Sequence, residues 1–304
     1  MNAPLVSVTV ISYNQRDYLA ASLKSLLEQT YANIEIVVAD DASTDGSQAL
    51  ISDFAERNPR KIKPVFGRRN GGLGANRDRA MQACSGTYVA WLDADDLSDP
   101  FRIENQLGFM LERPQLSLSY HNMRLIRGTE FTEELVYGDH RKPREGDFRT
   151  LLLHENFITS SSVMIDMTKV PSRGYHFAEG RTYSDWHYLI RAASCGSIGF
   201  LDEVLGSYRR HDQAATHNAR NMYSGVRMRR EQALKAMRQE YTDDRELILY
   251  CQARFHLSQL AAAYREQNMG AFLRYLVRLG GSPKISLRAL ADRRAQRYLL
   301  ASHD

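Results

Sequence analysis

The sequence predicts an α/β protein, a mostly parallel sheet with helices on both faces, followed by a C-terminal helical region. Three observations carry this. Strand-like and helix-like segments alternate four times within residues 6–92. The strand-like runs lead into polar, acidic or glycine-rich clusters. After residue 100 the rhythm breaks, and from about residue 218 the pattern is helical and rich in Arg and Leu.

Val6–Ile11 is a β-branched run ending at Ser12-Tyr13-Asn14, the pattern of a buried strand. Asn14 is placed to cap a helix over 16–29, where Leu19, Leu23, Leu26 and Leu27 recur at helical spacing and Asp17 sits in the first turn. Ile34–Ala39 is a second strand, closed by Asp40-Asp41 and followed by a helix over 45–57. A strand near 62–66 leads into Asn70-Gly71-Gly72-Leu73-Gly74 and a helix over 74–84. Thr87–Leu92 is the fourth strand, ending in Asp93-Ala94-Asp95-Asp96.

Such alternation implies right-handed crossovers and a sheet whose ligands bind beyond the carboxyl ends of the strands. Tyr13, Asp41, the glycine turn and Asp93–Asp96 all fall at those ends. Four clusters distant in sequence therefore converge on one edge. Further on, 100–111 and 184–194 read as helices, and 117–127, 133–137, 160–166 and 198–209 as strands. Gly280-Gly281-Ser282-Pro283 interrupts the helical region before a last helix over 285–301.

Composition removes several function classes. The 304 residues are 43% hydrophobic and 25% charged, ordinary for a globular chain. The net charge of +4 does not suggest a nucleic-acid binder. No window approaches 18 uninterrupted apolar residues, and the first residues lack the basic and small-residue pattern of a secretory signal. Three scattered cysteines suggest neither a disulfide framework nor a zinc site, and fit a reducing cytosol.

Asp-x-Asp after a strand can hold Mg²⁺ or Mn²⁺, which accept one or two protein carboxylates and complete their shell with phosphate oxygens and water. The cation offsets the repulsion between the aspartates. Asp96 and Asp99 also suit capping of the helix near 100. Asp41 stands where α/β folds read a ribose or a base, and Tyr13 could stack on a base or fill the core edge. Arg77, one turn into its helix, could face a phosphate or base oxygen. Arg79 reads as a surface residue.

The series Val6–Asn14, Gln29-Thr30-Tyr31, Ile34–Gly46, Asn70–Leu73, Arg77 and Leu92–Asp96 resembles glycosyltransferase family 2. The match is dense over residues 5–112 and extends to about 212. The resemblance implies a GT-A fold, inverting chemistry and a nucleotide-diphosphate sugar donor, UDP being the commonest nucleotide. It places Tyr13 on the base, Asp41 on base or ribose, Arg77 near the nucleotide, and Asp93 and Asp95 in the D-x-D with Asp95 as metal ligand. Ser184-Asp185-Trp186 is similar to the family's Glu-Asp-x-x-Leu/Trp element, which implies Asp185 as general base. The Glu position is Ser184, a departure that leaves Asp185 alone. Tyr208-Arg-Arg-His211 is similar to a Tyr-Arg-x-His segment whose His completes the metal shell or touches the diphosphate. Asp78 replaces the family's usual Asn.

The expected organisation is a catalytic domain over 1–215, with a nucleotide-binding half (1–112) and an acceptor-side half (113–215), then a helical region over 216–304. The expected cofactor is Mn²⁺ or Mg²⁺. The acceptor is a glycan, a lipid-linked saccharide or a protein, in cell-surface polysaccharide synthesis on the cytoplasmic side. Residues 269–304 hold seven Lys/Arg and two Asp among apolar faces, as in a segment that lies on an anionic membrane; the alternative is packing on the catalytic domain or on a second subunit. A non-catalytic nucleotide-sugar-binding module is the other reading. A phosphatase of the haloacid dehalogenase type places its Asp-x-Asp on the first strand, unlike this chain.

Overall fold

The computed structural model describes residues 3–138, 141–154, 156–170, 185–211, 245–265, 267–281 and 283–291. Ser184 and the segments 212–244 and 292–304, on which several of the expectations above fall, lie outside the described residues. The chain divides into two compact units, Met1–Met222 and Tyr223–Asp304.

The first unit is built on a nine-stranded sheet. Its N-terminal half alternates as the sequence predicts: β1 (Val6–Ser12), α1 (Arg16–Leu27), β2 (Ile34–Asp40), α2 (Ser47–Arg57), β3 (Ile62–Phe66), α3 (Leu73–Ala83) and β4 (Tyr88–Asp93). There follow β5 (Leu97–Ser98), α4 (Arg102–Leu111), β6 (Leu116–Arg127), β7 (Glu130–Leu135), α5 (Phe148–His154), a 3₁₀ turn at Ser160–Ser162, β8 (Met164–Asp166), α6 (Asp185–Ser194) and β9 (Ser197–Arg210). The strand order is β3-β2-β1-β4-β8-β6-β9-β5, with β7 paired to β6. β1 to β4 pair in parallel, as do β6 and β9, while β8 joins the two halves through antiparallel pairing to β4 and β6.

Alternation along the central strands explains why both faces carry helices. Val6, Val8 and Val10 of β1 pack with Leu19, Leu23 and Leu26 of α1, Ile51 of α2 and Ile103, Leu107 and Met110 of α4. On β4, Trp91 donates its indole N–H to Met81 of α3 and lies 5.7 Å from the Tyr188 ring of α6. Fully burying each such aliphatic side chain contributes about 1.5–3 kcal/mol, so the strands are held at fixed depth and their C-terminal ends emerge together. Ile11 pairs with Ala39 and Asp93, which sets the ends of β1, β2 and β4 side by side.

Local chemistry departs from the expectations at several points. Asn14 does not cap α1; its φ is 52°, and its side-chain oxygen accepts the Thr44 N–H. The first-turn N–H of Arg16 is taken instead by Asp45 from the loop after β2. The run 160–166 is not one strand, because Ser160 and Ser161 turn their hydroxyls to Asp93 and Asp96 and leave only Met164–Asp166 extended. Helix α5 and the two-residue β5 have no counterpart in the expectations.

The second unit contains α7 (Arg245–Arg265), α8 (Met269–Gly280) and α9 (Pro283–Ala291). Ala253 and Leu257 of α7 pack with Leu279 of α8 and Ala289 of α9. Asn268 caps α8 by accepting the Ala271 N–H, and Pro283 opens α9 at the position where a missing N–H costs nothing. No described helix is long and apolar enough to cross a membrane.

Candidate active site

The ends of β1, β2 and β4 open onto a cleft with two lobes. One, of about 560 Å³, is lined by Asp93, Asp95, Asp185 and His211 among others. The second, of about 410 Å³, is lined by Tyr13, Asp41, Asn70 and Gly72. Ile11, Gln15, Leu73 and His211 border both. Six of the seven residues singled out from the sequence therefore line one continuous cleft.

Arg77 is the exception. It lines neither lobe, its side chain being 1% exposed and engaged with acids at the cleft floor. Its Nη2 lies 2.7 Å from Asp93 Oδ1 and its Nε 3.3 Å from Asp185 Oδ1, and its guanidinium stands 4.5 Å from the centre of the Trp91 ring. One buried cation thus joins the end of β4 to the start of α6. With the cation buried and the two carboxylates only partly exposed, these pairs are screened less than a surface pair. The Asp185 carboxyl is raised above the usual carboxylate range by burial; Arg77 opposes that shift and Asp93 adds to it.

Asp95 meets a different partner. Its Oδ2 lies 3.0 Å from His211 Nε2, which brings the end of β4 to the residue after β9. Burial, with Asp93 adding, raises the Asp95 carboxyl, and the bond to His211 counteracts this. The His211 ring rests 4.8 Å from that of Tyr18, whose other neighbour is the Arg209 guanidinium at 4.9 Å. Arg209 also donates from Nε to the Asp95 carbonyl, and its backbone N–H goes to Asp96. Asp96 is buried and does not cap the helix; Ser161 and Arg209 hold it, and burial raises its carboxyl well above the ordinary value. Asp99 does act at the helix start, accepting the Phe101 N–H.

Asp41 organises the nucleotide lobe through the glycine turn. It accepts the backbone N–H groups of Gly71 and Gly72, the latter at 2.7 Å, and Arg79 approaches at 3.5 Å. Arg79 is therefore not a plain surface residue. Tyr13 stands 46% exposed at the rim, an aromatic face offered to the lobe. Asp40 faces away, accepting from Ser43 and Gln48.

Among the described residues no cluster of three or more His, Cys, Asp or Glu side chains is spaced for a metal ion. Asp95 and His211 nevertheless bring one oxygen and one nitrogen donor together on the cleft wall. That set suits a cation which takes its remaining ligands from phosphate and water. Sequence reasoning missed Gln15, Arg141, Arg209 and Arg210, all on the cleft wall. Arg209 and Arg210 directly precede His211 and were within reach of the same motif; Arg141 lies in an irregular stretch with no readable pattern.

The sequence profile described as "Glycosyl transferase family 2" matches residues 7–170. The chain belongs to glycosyltransferase family 2. It is 30% identical over 227 residues to the uncharacterized protein Rv1520 of Mycobacterium tuberculosis, a match covering 70% of this chain and 61% of that protein; the chain thus spans less than two thirds of that relative's length. It is 32% identical over 215 residues to the Escherichia coli UDP-Glc:alpha-D-GlcNAc-diphosphoundecaprenol beta-1,3-glucosyltransferase WfaP, covering 70% of this chain and 80% of WfaP. The fold is that of GT-A glycosyltransferase structures. Residues 1–349 of TarS from S. aureus, in complex with UDP-GlcNAc, superpose with a TM-score of 0.61 at 16% identity, covering 88% of this chain and 89% of that one. The mannosyltransferase PcManGT of Pyrobaculum calidifontis, in complex with GDP-Man and Mn²⁺, gives 0.59 at 18% identity, covering 98% and 85%. Within the family frame, the cleft coincides with the strand ends where α/β folds bind their ligands.

Proposed function

We propose that the chain is an inverting glycosyltransferase that moves a sugar from a nucleotide-diphosphate sugar, a UDP-sugar in the first instance, to a hydroxyl of a saccharide acceptor. The observation that carries this reading is the Asp93–Arg77–Asp185 bridge at a cleft that is also lined by the Asp95–His211 pair. Tyr13 and the Asp41-braced glycine turn receive the nucleoside. Asp95 and His211 would hold Mn²⁺ or Mg²⁺, which when bound supplies positive charge to the diphosphate. Arg209 and Arg210 add fixed positive charge on the same wall.

Asp185, held by Arg77, accepts the proton of the acceptor hydroxyl. The hydroxyl oxygen forms its bond to the anomeric carbon on the face opposite the diphosphate. The bond from that carbon to the phosphate oxygen breaks, the electron pair leaves with the nucleoside diphosphate, and configuration inverts. General-base assistance of this kind contributes roughly 10²–10⁴-fold, about 3–5 kcal/mol of barrier.

The name of WfaP supports a lipid-linked saccharide as the acceptor class, in the synthesis of a cell-surface polysaccharide. The test is incubation with a panel of nucleotide sugars, Mn²⁺ and saccharide diphosphate-lipid acceptors. Metal-dependent release of nucleoside diphosphate, with a new glycosidic bond of inverted configuration by NMR, is the expected result. Donor binding without any release, by transfer or hydrolysis, would make the chain a binding module instead.

A further inference from the structure

The second unit exposes an apolar surface that its own core does not use. On α8, Met269, Leu273, Leu276 and Val277 are 63%, 54%, 47% and 75% exposed. Their spacing of four, seven and eight residues from Met269 puts all four on one face of the helix. Leu279 lies on another face, turned into the core with α7 and α9. Tyr264 at the end of α7 is 72% exposed beside Phe272, and Leu287 of α9 is 66% exposed. These side chains are too large and too close along the helix to be scattered surface residues.

The charges around this face select its occupant. Residues 269–291 contain Arg274, Arg278, Lys284 and Arg288 and no Asp or Glu. Arg274, one position after Leu273, is exposed and borders the stripe next to Val277, while Arg278 is exposed further round the helix with its guanidinium 5.7 Å from the Tyr275 ring. A stripe of apolar side chains with Arg274 along one edge, Arg278 further round on the same side and an aromatic at one end matches the layering of a bilayer surface: acyl chains below, anionic headgroups within reach of the arginines. A protein partner would need an acidic rim around an apolar centre, whereas an anionic bilayer supplies both layers over any area.

We propose that the α8 face, with Tyr264 beside it, is a docking surface for anionic phospholipid bilayers. The helix lies in the interface and does not span it. This inference is independent of the chemistry assigned to the cleft.

The test uses the full chain in flotation assays with vesicles of phosphatidylcholine alone or mixed with phosphatidylglycerol. The protein is expected to float with the mixed vesicles, and less with phosphatidylcholine or at high salt. Leu273→Glu with Val277→Glu is expected to lower partitioning roughly tenfold or more, and Arg274→Gln with Arg278→Gln to remove most of the preference for phosphatidylglycerol. All four positions are exposed, so the variants should melt with the parent, which circular dichroism checks. Equal flotation of parent and Leu273→Glu/Val277→Glu protein overturns the proposal, as does absence of parent flotation. A parent that stays in the aqueous fraction as a dimer, made monomeric by Leu273→Glu/Val277→Glu in light scattering, also overturns it and identifies a second copy as the occupant.

Discussion

Arg77 Nε lies 3.3 Å from Asp185 Oδ1, joining the helix after the glycine turn to the first residue of α6. The same guanidinium holds Asp93 at 2.7 Å. Two carboxylates held along one edge of a buried cation have little freedom to move independently. The orientation of the proposed base is thereby tied to the strand that carries the Asp-x-Asp.

Replacing Arg77 with Gln should therefore damage both fold and function. Removing one partner of a buried charge pair costs about 3–5 kcal/mol. Asp93 and Asp185 remain 26% and 20% exposed, so cavity water relieves part of the loss and the low end applies. A loss near 3 kcal/mol lowers the melting temperature by roughly 6–12 °C. Calorimetry checks this, and Arg77→Lys should recover only part of the loss because one ammonium cannot match the planar fork.

Asp185 must be ionised to accept a proton, so transfer falls as pH drops through its pKa. Burial raises that pKa, Arg77 lowers it and Asp93 raises it; Asp95, Arg141, Arg209, Arg210 and His211 share the cavity. The acid limb of the kcat profile should stand above the ordinary carboxylate value of about 4, and Arg77→Gln should move it higher still. In Asp185→Asn the turnover should fall roughly 10²–10⁴-fold while UDP affinity stays unchanged, read by steady-state kinetics and titration calorimetry. Normal transfer to an acceptor by Asp185→Asn would remove the base assignment.

Why some of this was readable in the sequence and some was not has a physical basis. β1, β2 and β4 announce themselves because strands buried on both faces need continuous apolar runs, and their ends carry polar residues where α/β folds bind ligands. Asp95 and His211 were readable through motifs, although nothing local brings positions 116 residues apart to 3.0 Å. Arg77 shows what a motif leaves open. Its helical position is the expected one, but its direction is set by Trp91 beneath it and by two acids from elsewhere in the chain. Ser160–Ser162 failed for a similar reason, because β-like composition lost to hydroxyl bonds with distant carboxylates. Asn14 lost the helix cap to Asp45 from another loop, a competition that no local window contains.

His211 should be as necessary as Asp95 for the metal. Tyr18 and Asp95 fix the imidazole on two sides. His211→Ala should weaken Mn²⁺ binding in the presence of UDP by roughly tenfold to a hundredfold, at least the cost of losing an outer-shell contact. A chelator should abolish transfer by the parent, and Mn²⁺ should restore it. Mn²⁺ titration followed by electron paramagnetic resonance gives the affinities directly. Equal affinity in parent and His211→Ala would limit the imidazole to holding Asp95.

The glycine turn offers a test that separates building the nucleotide lobe from touching the nucleotide. Gly72 has φ 84° and ψ 169°, a region essentially closed to residues with a Cβ. In that conformation its N–H reaches both Asp41 and Asn70. Gly72→Ala must either keep the strained backbone, at about 1–3 kcal/mol, or rotate the N–H away and release Asp41. Stability and UDP affinity should both fall. Tyr13→Ala should behave differently, because the ring is 46% exposed and little of the fold depends on it. It should leave the melting temperature nearly unchanged and weaken UDP binding by about 1 kcal/mol or more, the scale of a lost base–aromatic stack. If Tyr13→Ala bound UDP as the parent does, the base would lie elsewhere in the cleft, and the Asp41-braced turn would be scaffold alone.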